Sequence, residues 1–401
     1  MTGIARPQAL GAFPFPAGLL LIAGGEETDA ARTALVRGIL PETWPARLEG
    51  VRLVHEGRLD EAAAWFADSD DPVDRYNLFV LDPERVSRSE AAAAVGDDWR
   101  PLVDHVAYTV GLTSVPPTSE GLHGELAALV GTAEAAAALA DGDEPVALAH
   151  LRLAADAARD VAPALAGVVL SELADRGHDL VDAEEAVALL RGTDLPAAAA
   201  EAFFHRAGLV HGLAIEGRRS LGDAISLGDA IAGYTEALRR IDEVGQRSLF
   251  ARIHLNLGTA YLAAPIVSDA DHLRVGIALQ SLRTAVRLLD EERDAEEWAS
   301  ARLNLANALV YAPSAKQRDH LMEAVDLYEV VLRTRSPKKD ALGRARVLSN
   351  QGNALAHLGL LGDARERFDE AEFLFASKGD ESSAAIVRDL RGSLIAVGAD
   401  D

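Results

Sequence analysis

The chain has 401 residues, a formal net charge of −24 and no cysteine. So large a negative charge argues against nucleic acid as the main partner, because phosphate binding needs a basic face. The missing cysteines exclude disulfides, thiolate metal sites and cysteine nucleophiles. Hydrophobic residues make up 49% of the chain but aromatic residues only 5%, so the core must consist of alanine, leucine and valine, which favours closely packed helices over sheets.

The first quarter of the chain is predicted to hold an arm followed by helices. Residues 1–25 are rich in proline and glycine and are expected to form an extended arm. Arg6 is their only basic residue and prolines interrupt their apolar run, which is not typical of a secretory signal. No segment has the roughly 18 uninterrupted apolar residues of a membrane span. We therefore expect a cytoplasmic protein, with residues 26–118 forming a helical region that contains one helical hairpin near residues 46–67.

A linker separates this region from the next. Thr113 to Ser119 reads TSVPPTS, which is a turn or linker by composition, so the softest domain boundary is predicted near Val115 to Gly121. Residues 119–195 are rich in alanine and leucine with helical spacing. They are predicted to form degenerate helical repeats.

The clearest pattern of the chain lies between Ala345 and Lys378, which fit one frame of 34 residues. Gly359 marks the turn of this unit. The small residues Gly352, Ala364 and Ala371 stand where two helices must touch. Large apolar residues stand between them, at Leu348, Leu355 and Phe368. The pattern resembles the tetratricopeptide repeat (TPR), a helix–turn–helix unit. The resemblance implies an all-α fold, a right-handed α-solenoid of antiparallel helix pairs, because one unit cannot bury its apolar face alone.

Looser units extend the resemblance over residues 196–378. Position eight of the frame recurs as Gly208, Gly258, Ala306 and Gly352, at steps of 50, 48 and 46 residues. Steps longer than 34 predict long helices or expanded turns, with enlarged loops expected around Pro265 to His272 and Pro313 to Arg318. The hairpin near residues 46–67 matches the same frame.

Two further segments of the carboxyl-terminal half stand out. The hexapeptide SLGDAI at residues 220–225 is repeated directly at residues 226–231, which predicts a lengthened inter-helix segment or a lengthened second helix. Ile386, Leu390 and Leu394 follow a period of four, which predicts one helical face. Residues 379–401 are therefore expected to form a capping helix and a tail.

Motifs that would carry catalysis or hold a cofactor are missing from the sequence. There is no GxxxxGK[ST], no GxGxxG after a strand and no HExxH. His205 and His211 are six residues apart, which is not the spacing that places two imidazoles on one helix face, and His211 is predicted to lie in the core. His105 beside Asp104 could form an acid–base pair, but adjacent residues of a helix do not face each other. The sequence predicts no enzyme, no cofactor and no metal.

An asparagine series is the best candidate for a binding surface. Asn256, Asn304 and Asn350 hold position six of three successive first helices, and Asn307 and Asn353 hold position nine of two of them. The resemblance implies that first helices line the concave surface, where a row of amides offers donors and acceptors to the backbone of an extended peptide. The asparagines could equally serve only to tie neighbouring helices together. The expected partner-binding face comprises Arg252, Asn256, Leu303, Asn304, Asn307, Tyr311, Arg346, Asn350 and Asn353.

The function implied by the resemblance is that of a non-catalytic scaffold that binds a peptide or helix of another protein. The clamp that TPR domains use for chaperone tails is not matched, because Leu255 and Thr259 stand at two of its positions and cannot neutralise a carboxylate. Two alternatives remain at this point. One is an assembly or maturation chaperone for a multisubunit enzyme, and the other is a regulatory sensor domain whose amino-terminal half holds a small molecule or peptide.

Overall fold

A computed structural model describes residues 11–217, 219–220, 223–264, 271–312, 314 and 316–397 of the chain. The chain divides into two compact units, Met1–Gly212 and Leu213–Asp401. Four expected features lie wholly or partly outside the described residues: the start of the arm, the end of the tail and most of the loop around Pro265, together with two positions of the loop around Pro313. The five-part division expected from the sequence stays a prediction.

The first unit is built from eleven α-helices within its described residues, with short 3₁₀ turns at Ala17–Leu19, Ala46–Leu48 and Asp97–Trp99. The last of the helices ends three residues beyond the unit boundary. The helices are α1 Glu26–Val36, α2 Glu49–His55, α3 Leu59–Ala67, α4 Pro72–Leu81, α5 Arg88–Val95, α6 Arg100–Thr109, α7 Gly124–Ala140, α8 Glu144–Ala158, α9 Pro163–Gly177, α10 Leu180–Leu190 and α11 Pro196–Ile215.

The second unit is helical apart from one very short pair of strands in its described residues. Its elements are β1 Arg219–Ser220, β2 Asp223–Ala224, α12 Leu227–Leu238, α13 Arg247–Ala263, α14 Asp271–Leu288, α15 Ala295–Tyr311, α16 Gln317–Thr334, α17 Ala341–His357, α18 Leu361–Ser377 and α19 Glu381–Val397. The prediction of an all-α fold is confirmed.

Local signals in the sequence fix where several helices begin and end. Ser87 and Glu90 form a capping box at the start of α5, in which two otherwise unpaired N–H groups find partners. Ser226 and Asp229 repeat this arrangement at α12. Gly359 has a φ of 78°, a left-handed conformation that suits glycine and turns the chain between α17 and α18.

Unit 1 packs its helices in chain order around one core. Each helix from α2 to α9 contacts the next, and α1 packs on α9. Ala199 and Ala202 bring α11 to the same core. The extended residues Leu19–Ala23 are buried in this core as well, so this part of the expected arm lies inside the unit.

Unit 2 stacks three helix pairs and closes them with a single helix. The pairs are α13 with α14, α15 with α16, and α17 with α18, and α19 packs on α18. Among the described residues the first helices α13, α15, α17 and α19 also contact one another in turn, and the second helices make fewer such contacts. The first helices therefore lie on the inner side of this α-solenoid stack.

The duplicated hexapeptide lies at the entrance to α12. Its first copy and the preceding Arg219 form an antiparallel ladder that pairs Arg219 with Ala224 and Ser220 with Asp223. Its second copy supplies the cap Ser226 and the first turn of the helix. The duplication therefore lengthens the segment between helices, which was one of the two predicted outcomes. None of the described helices is long and apolar enough to cross a membrane.

The close contact between α17 and α18 allows a direct test of packing. A Cβ added at Gly352 would lie 2.8 Å from Cε1 of Phe368, a buried ring, whereas one added at Gly362 would meet nothing within 4 Å. We expect Gly352→Ala to lower the free energy of unfolding by about 1–3 kcal/mol through overpacking. Gly362→Ala serves as the matched control and should raise it by about 0.5–1 kcal/mol through helix propensity. Chemical denaturation followed by circular dichroism measures both, and equal effects would contradict this packing.

We expect the half-buried His55 and the buried His105 to make the stability of unit 1 depend on pH. Burial lowers the pKa of His55 and of His105 from 6.5 to about 4. The unfolded chain binds these protons near pH 6.5 and the folded chain only near pH 4, so their stabilisation is complete above pH 6.5 and is lost as the pH falls towards 4. Each histidine contributes up to about 3 kcal/mol.

Urea unfolding on both sides of pH 6.5 checks this dependence. The variant His105→Leu should lose part of the pH slope between pH 6.5 and 4 while keeping its stability at higher pH, because leucine binds no proton. Carboxylates elsewhere titrate in both proteins and cancel in the comparison. An unchanged slope in the variant would show that His105 is not the titrating group.

Candidate functional site

All nine residues expected to bind a partner lie on three first helices of unit 2. Arg252 and Asn256 lie on α13, four residues lie on α15, and Arg346, Asn350 and Asn353 lie on α17. The four on α15 are Leu303, Asn304, Asn307 and Tyr311. These three helices contact one another along the stack, so the side chains that they carry on its inner side belong to one surface.

Asn307 is the centre of this surface. Its Oδ1 accepts a hydrogen bond of 2.7 Å from the hydroxyl of Tyr328 and another of 3.0 Å from Nδ2 of Asn350. Tyr328 lies on the second helix α16 and is only 1% exposed, and burial raises the pKa of its hydroxyl above the ordinary value. One amide oxygen therefore joins three helices, α15, α16 and α17.

The carboxyl-terminal end of α15 forms a second junction with α17. Nδ2 of Asn353 donates a hydrogen bond of 3.0 Å to the hydroxyl oxygen of Tyr311. Tyr311 is nevertheless 73% exposed. Its hydroxyl accepts this bond, so the hydroxyl proton remains for another acceptor, and its ring presents an aromatic face held in place by the asparagine.

The α13 side of the surface is a shallow cavity of about 300 Å³. Asn256 and Arg252 line it from α13, and three polar residues line it from α15. These three residues are Glu296, Glu297 and Ser300. Nε of Arg252 lies 3.4 Å from a carboxylate oxygen of Glu297, which again ties two neighbouring first helices together.

At three of its five positions the asparagine series ties neighbouring helices together, which is one of its two interpretations. Asn307, Asn350 and Asn353 tie neighbouring helices, whereas Asn304 bonds only within its own helix, to Oγ of Ser300 at 3.3 Å. Each of these hydrogen bonds between helices uses only one of the two polar atoms of an asparagine side chain. Within the described residues, Nδ2 of Asn307 and Oδ1 of Asn350 make no protein hydrogen bond, and both side chains are half-buried, so each still offers a polar atom to a ligand.

The remaining members of the expected face differ in accessibility. Leu303 is half-buried and Arg346 is exposed. Glu296, Glu297 and Ser300 were not among the residues expected in the site. Ser300 stands within one turn of Leu303 and Asn304, whereas Glu296 and Glu297 lie about two turns before Leu303. Nothing in the repeat pattern of the sequence indicated the bond between Tyr328 and Asn307.

The groups considered for catalysis are not arranged for it. The carboxylate of Asp104 faces Arg88 at 2.9 Å, and the neighbouring His105 is buried. His205 contacts Oγ of Ser171 at 3.1 Å. Among the described residues no group of three or more histidine and acidic side chains is placed to hold a metal ion. The chemistry that the inner face of unit 2 offers is hydrogen bonding and apolar contact.

Comparison with known proteins gives one structural likeness. No protein-family model matches the chain, and no curated protein matches it. Its structure is similar to a solved crystal structure of a Rap protein complexed with competence and sporulation factor, with 13% sequence identity over 88% of this chain and 97% of that chain and a TM-score of 0.42. A likeness of this size decides neither the family nor the function of this chain.

The bond between Tyr328 and Asn307 predicts a non-additive pair of substitutions. Asn307→Ala should lower the free energy of unfolding by about 1–3 kcal/mol, because it leaves the buried hydroxyl of Tyr328 without a partner. Adding Tyr328→Phe should restore part of this loss, since the unpaired hydroxyl is then gone. Urea denaturation of the two single variants and the double variant measures the coupling, and simple additivity would show that the bond has no energetic role.

Proposed function

We propose that unit 2 is a non-catalytic binding module for an extended segment of another protein. The single observation that carries the proposal is the row of polar groups along α13, α15 and α17, which keeps free donors and acceptors beside an exposed, fixed aromatic ring. Tyr311 and Asn353 form one end of this row, and Asn256 and its cavity form the other.

An amide row suits the main chain of a peptide more than its side chains. Each peptide unit offers one N–H and one C=O, and an asparagine side chain can donate to one and accept from the other. Nδ2 of Asn307 and Oδ1 of Asn350 have this capacity left after their bond to each other. The ties between helices hold the amides in position before a ligand arrives, so little side-chain entropy is lost on binding.

The exposed ring of Tyr311 offers a selective substitution with a matched control. Tyr311 and Phe373 are 73% and 70% exposed, but Tyr311 lies on the first helix α15 and Phe373 on the second helix α18. We expect Tyr311→Ala to reduce capture of a stoichiometric partner from native lysate at least about tenfold, since exposed aromatic residues dominate such interfaces. Phe373→Ala should leave capture unchanged. Equal capture by both variants, or loss in Phe373→Ala alone, would place the interface elsewhere.

The same partner allows the backbone grip to be tested. Overlapping short peptides of the captured protein should include one that binds unit 2 within the full chain. N-methylation of its central backbone amides should abolish binding, whereas alanine at most of its side chains should be tolerated. The double variant Asn304→Ala with Asn350→Ala should weaken binding of the unmodified peptide. A peptide that tolerates N-methylation would show that side chains carry the recognition.

A further inference from the structure

The amino-terminal segment of unit 1 is buried although it belongs to no α-helix. Residues Leu19–Ala23 are each at most 6% exposed, and Leu20 and Leu21 are fully buried. Beyond the 3₁₀ turn that ends at Leu19 the segment belongs to no helix and no sheet. A buried backbone without secondary structure needs other partners for its N–H and C=O groups.

Two neighbouring side chains of α4 supply those partners. Oδ1 of Asn77 accepts a hydrogen bond of 2.8 Å from the N–H of Leu21, and Nδ2 of Asn77 donates one of 2.9 Å to the carbonyl oxygen of Leu21. The hydroxyl of Tyr76 donates a bond of 2.9 Å to the carbonyl oxygen of Leu19. Asn77 thereby repeats the exchange of two hydrogen bonds that a neighbouring antiparallel strand would make with Leu21.

Four helices surround the segment and its approach. The ring of His55, at the end of α2, meets the ring of Phe13 edge to face, with centroids 4.7 Å apart. Before the segment, Gly11 lies against Leu129 of α7 and Leu165 of α9, so close that an added Cβ would fall within 2.8 Å of both side chains. Tyr76 and Asn77 of α4, which bond the segment, and these three helices, which contact its approach, are together called here the arm groove.

We propose that the arm groove is a peptide-binding site whose built-in ligand is the chain's own segment Leu19–Ala23. The hydrogen bonds of Tyr76 and Asn77 to that segment go to its main-chain atoms, and every extended peptide carries the same main-chain groups. The buried side chains of the segment, Leu19 to Ala23, restrict the ligand to an extended run of aliphatic residues. The site lies in unit 1 and is independent of the function proposed for unit 2.

The connection after the segment makes the proposal testable in the full chain. Gly24 and Gly25 are exposed. At the start of the following helix α1, Oγ1 of Thr28 donates to the carbonyl oxygen of Gly25, which stays with the helix after the cut, and to that of Ala23, which leaves with the segment. A protease recognition sequence inserted between Gly24 and Gly25 therefore allows the segment to be cut from an otherwise intact protein.

The experiment adds a fluorescent synthetic peptide of residues 1–24 to the cut protein. We expect the peptide to replace the native segment, with a rise in fluorescence anisotropy that unlabelled peptide reverses. A peptide with Leu20→Asp and Ile22→Asp should not bind, because each carboxylate would have to enter an apolar groove. Uncut protein should also not bind, because its own segment occupies the groove at a high effective concentration.

Substitutions in the groove provide the matched controls. Tyr76→Phe and Tyr108→Phe each remove one hydroxyl, but only that of Tyr76 bonds the segment. We expect Tyr76→Phe to weaken peptide binding about three- to thirtyfold, Asn77→Ala to weaken it at least about tenfold, and Tyr108→Phe to leave it unchanged.

Two results would overturn the proposal. One is a cut protein that keeps its circular dichroism spectrum but takes up no peptide under any exchange time tested, since the segment would then be a permanent part of the core. The other is a cut protein that unfolds when its segment dissociates, since the groove would then not exist without its occupant. Tyr76→Phe keeps the test informative if Asn77→Ala does not fold.

Discussion

Close approach of helices through alanine and glycine is the constraint on which the rest of the structure depends. A chain with so few aromatic residues fills its core by bringing backbones together. In unit 2 the side chain of Leu282 leaves too little room for a Cβ at Gly258, and the ring of Phe368 leaves too little room for one at Gly352. Neighbouring helices in unit 2 are thus set at short distance, and this spacing brings short polar side chains of successive first helices within hydrogen-bond reach.

The hydrogen bonds made by the asparagine amides of unit 2 depend on that spacing. An asparagine side chain is too short to bridge widely separated helices, yet Asn350 reaches Asn307, and Asn353 reaches Tyr311. Each bond stabilises the stack and also fixes the orientation of groups that remain available to a ligand. Packing and binding were alternatives when only the sequence was considered. In the structure the same side chains tie helices together and retain hydrogen-bonding capacity, so the packing role is established and the binding role rests on the atoms left over.

In unit 1 an asparagine bonds main-chain groups instead of another side chain. Asn77 lies in the core and bonds the main chain of an extended segment of the same molecule. In an apolar surrounding an unpaired peptide group would cost about 1–3 kcal/mol, which is why this position needs an amide that both donates and accepts. Leucine at position 77 would fill a similar volume and satisfy neither group.

The sequence by itself determined the all-α class of the fold and the packing positions of small residues in the last helix pair, because these depend on spacing along one chain and on local propensity. Gly352, Ala364 and Phe368 hold the packing positions that the repeat frame assigned to them. Only the tertiary structure decided that Tyr328 bonds Asn307 and that Asn77 bonds Leu21. Both bonds join residues far apart in sequence, 21 and 56 positions, and no periodicity encodes which distant polar groups meet. The composition of residues 1–25 led to the expectation of an extended arm, but the burial of Leu19–Ala23 could not be predicted, since burial depends on helices that the chain supplies only later.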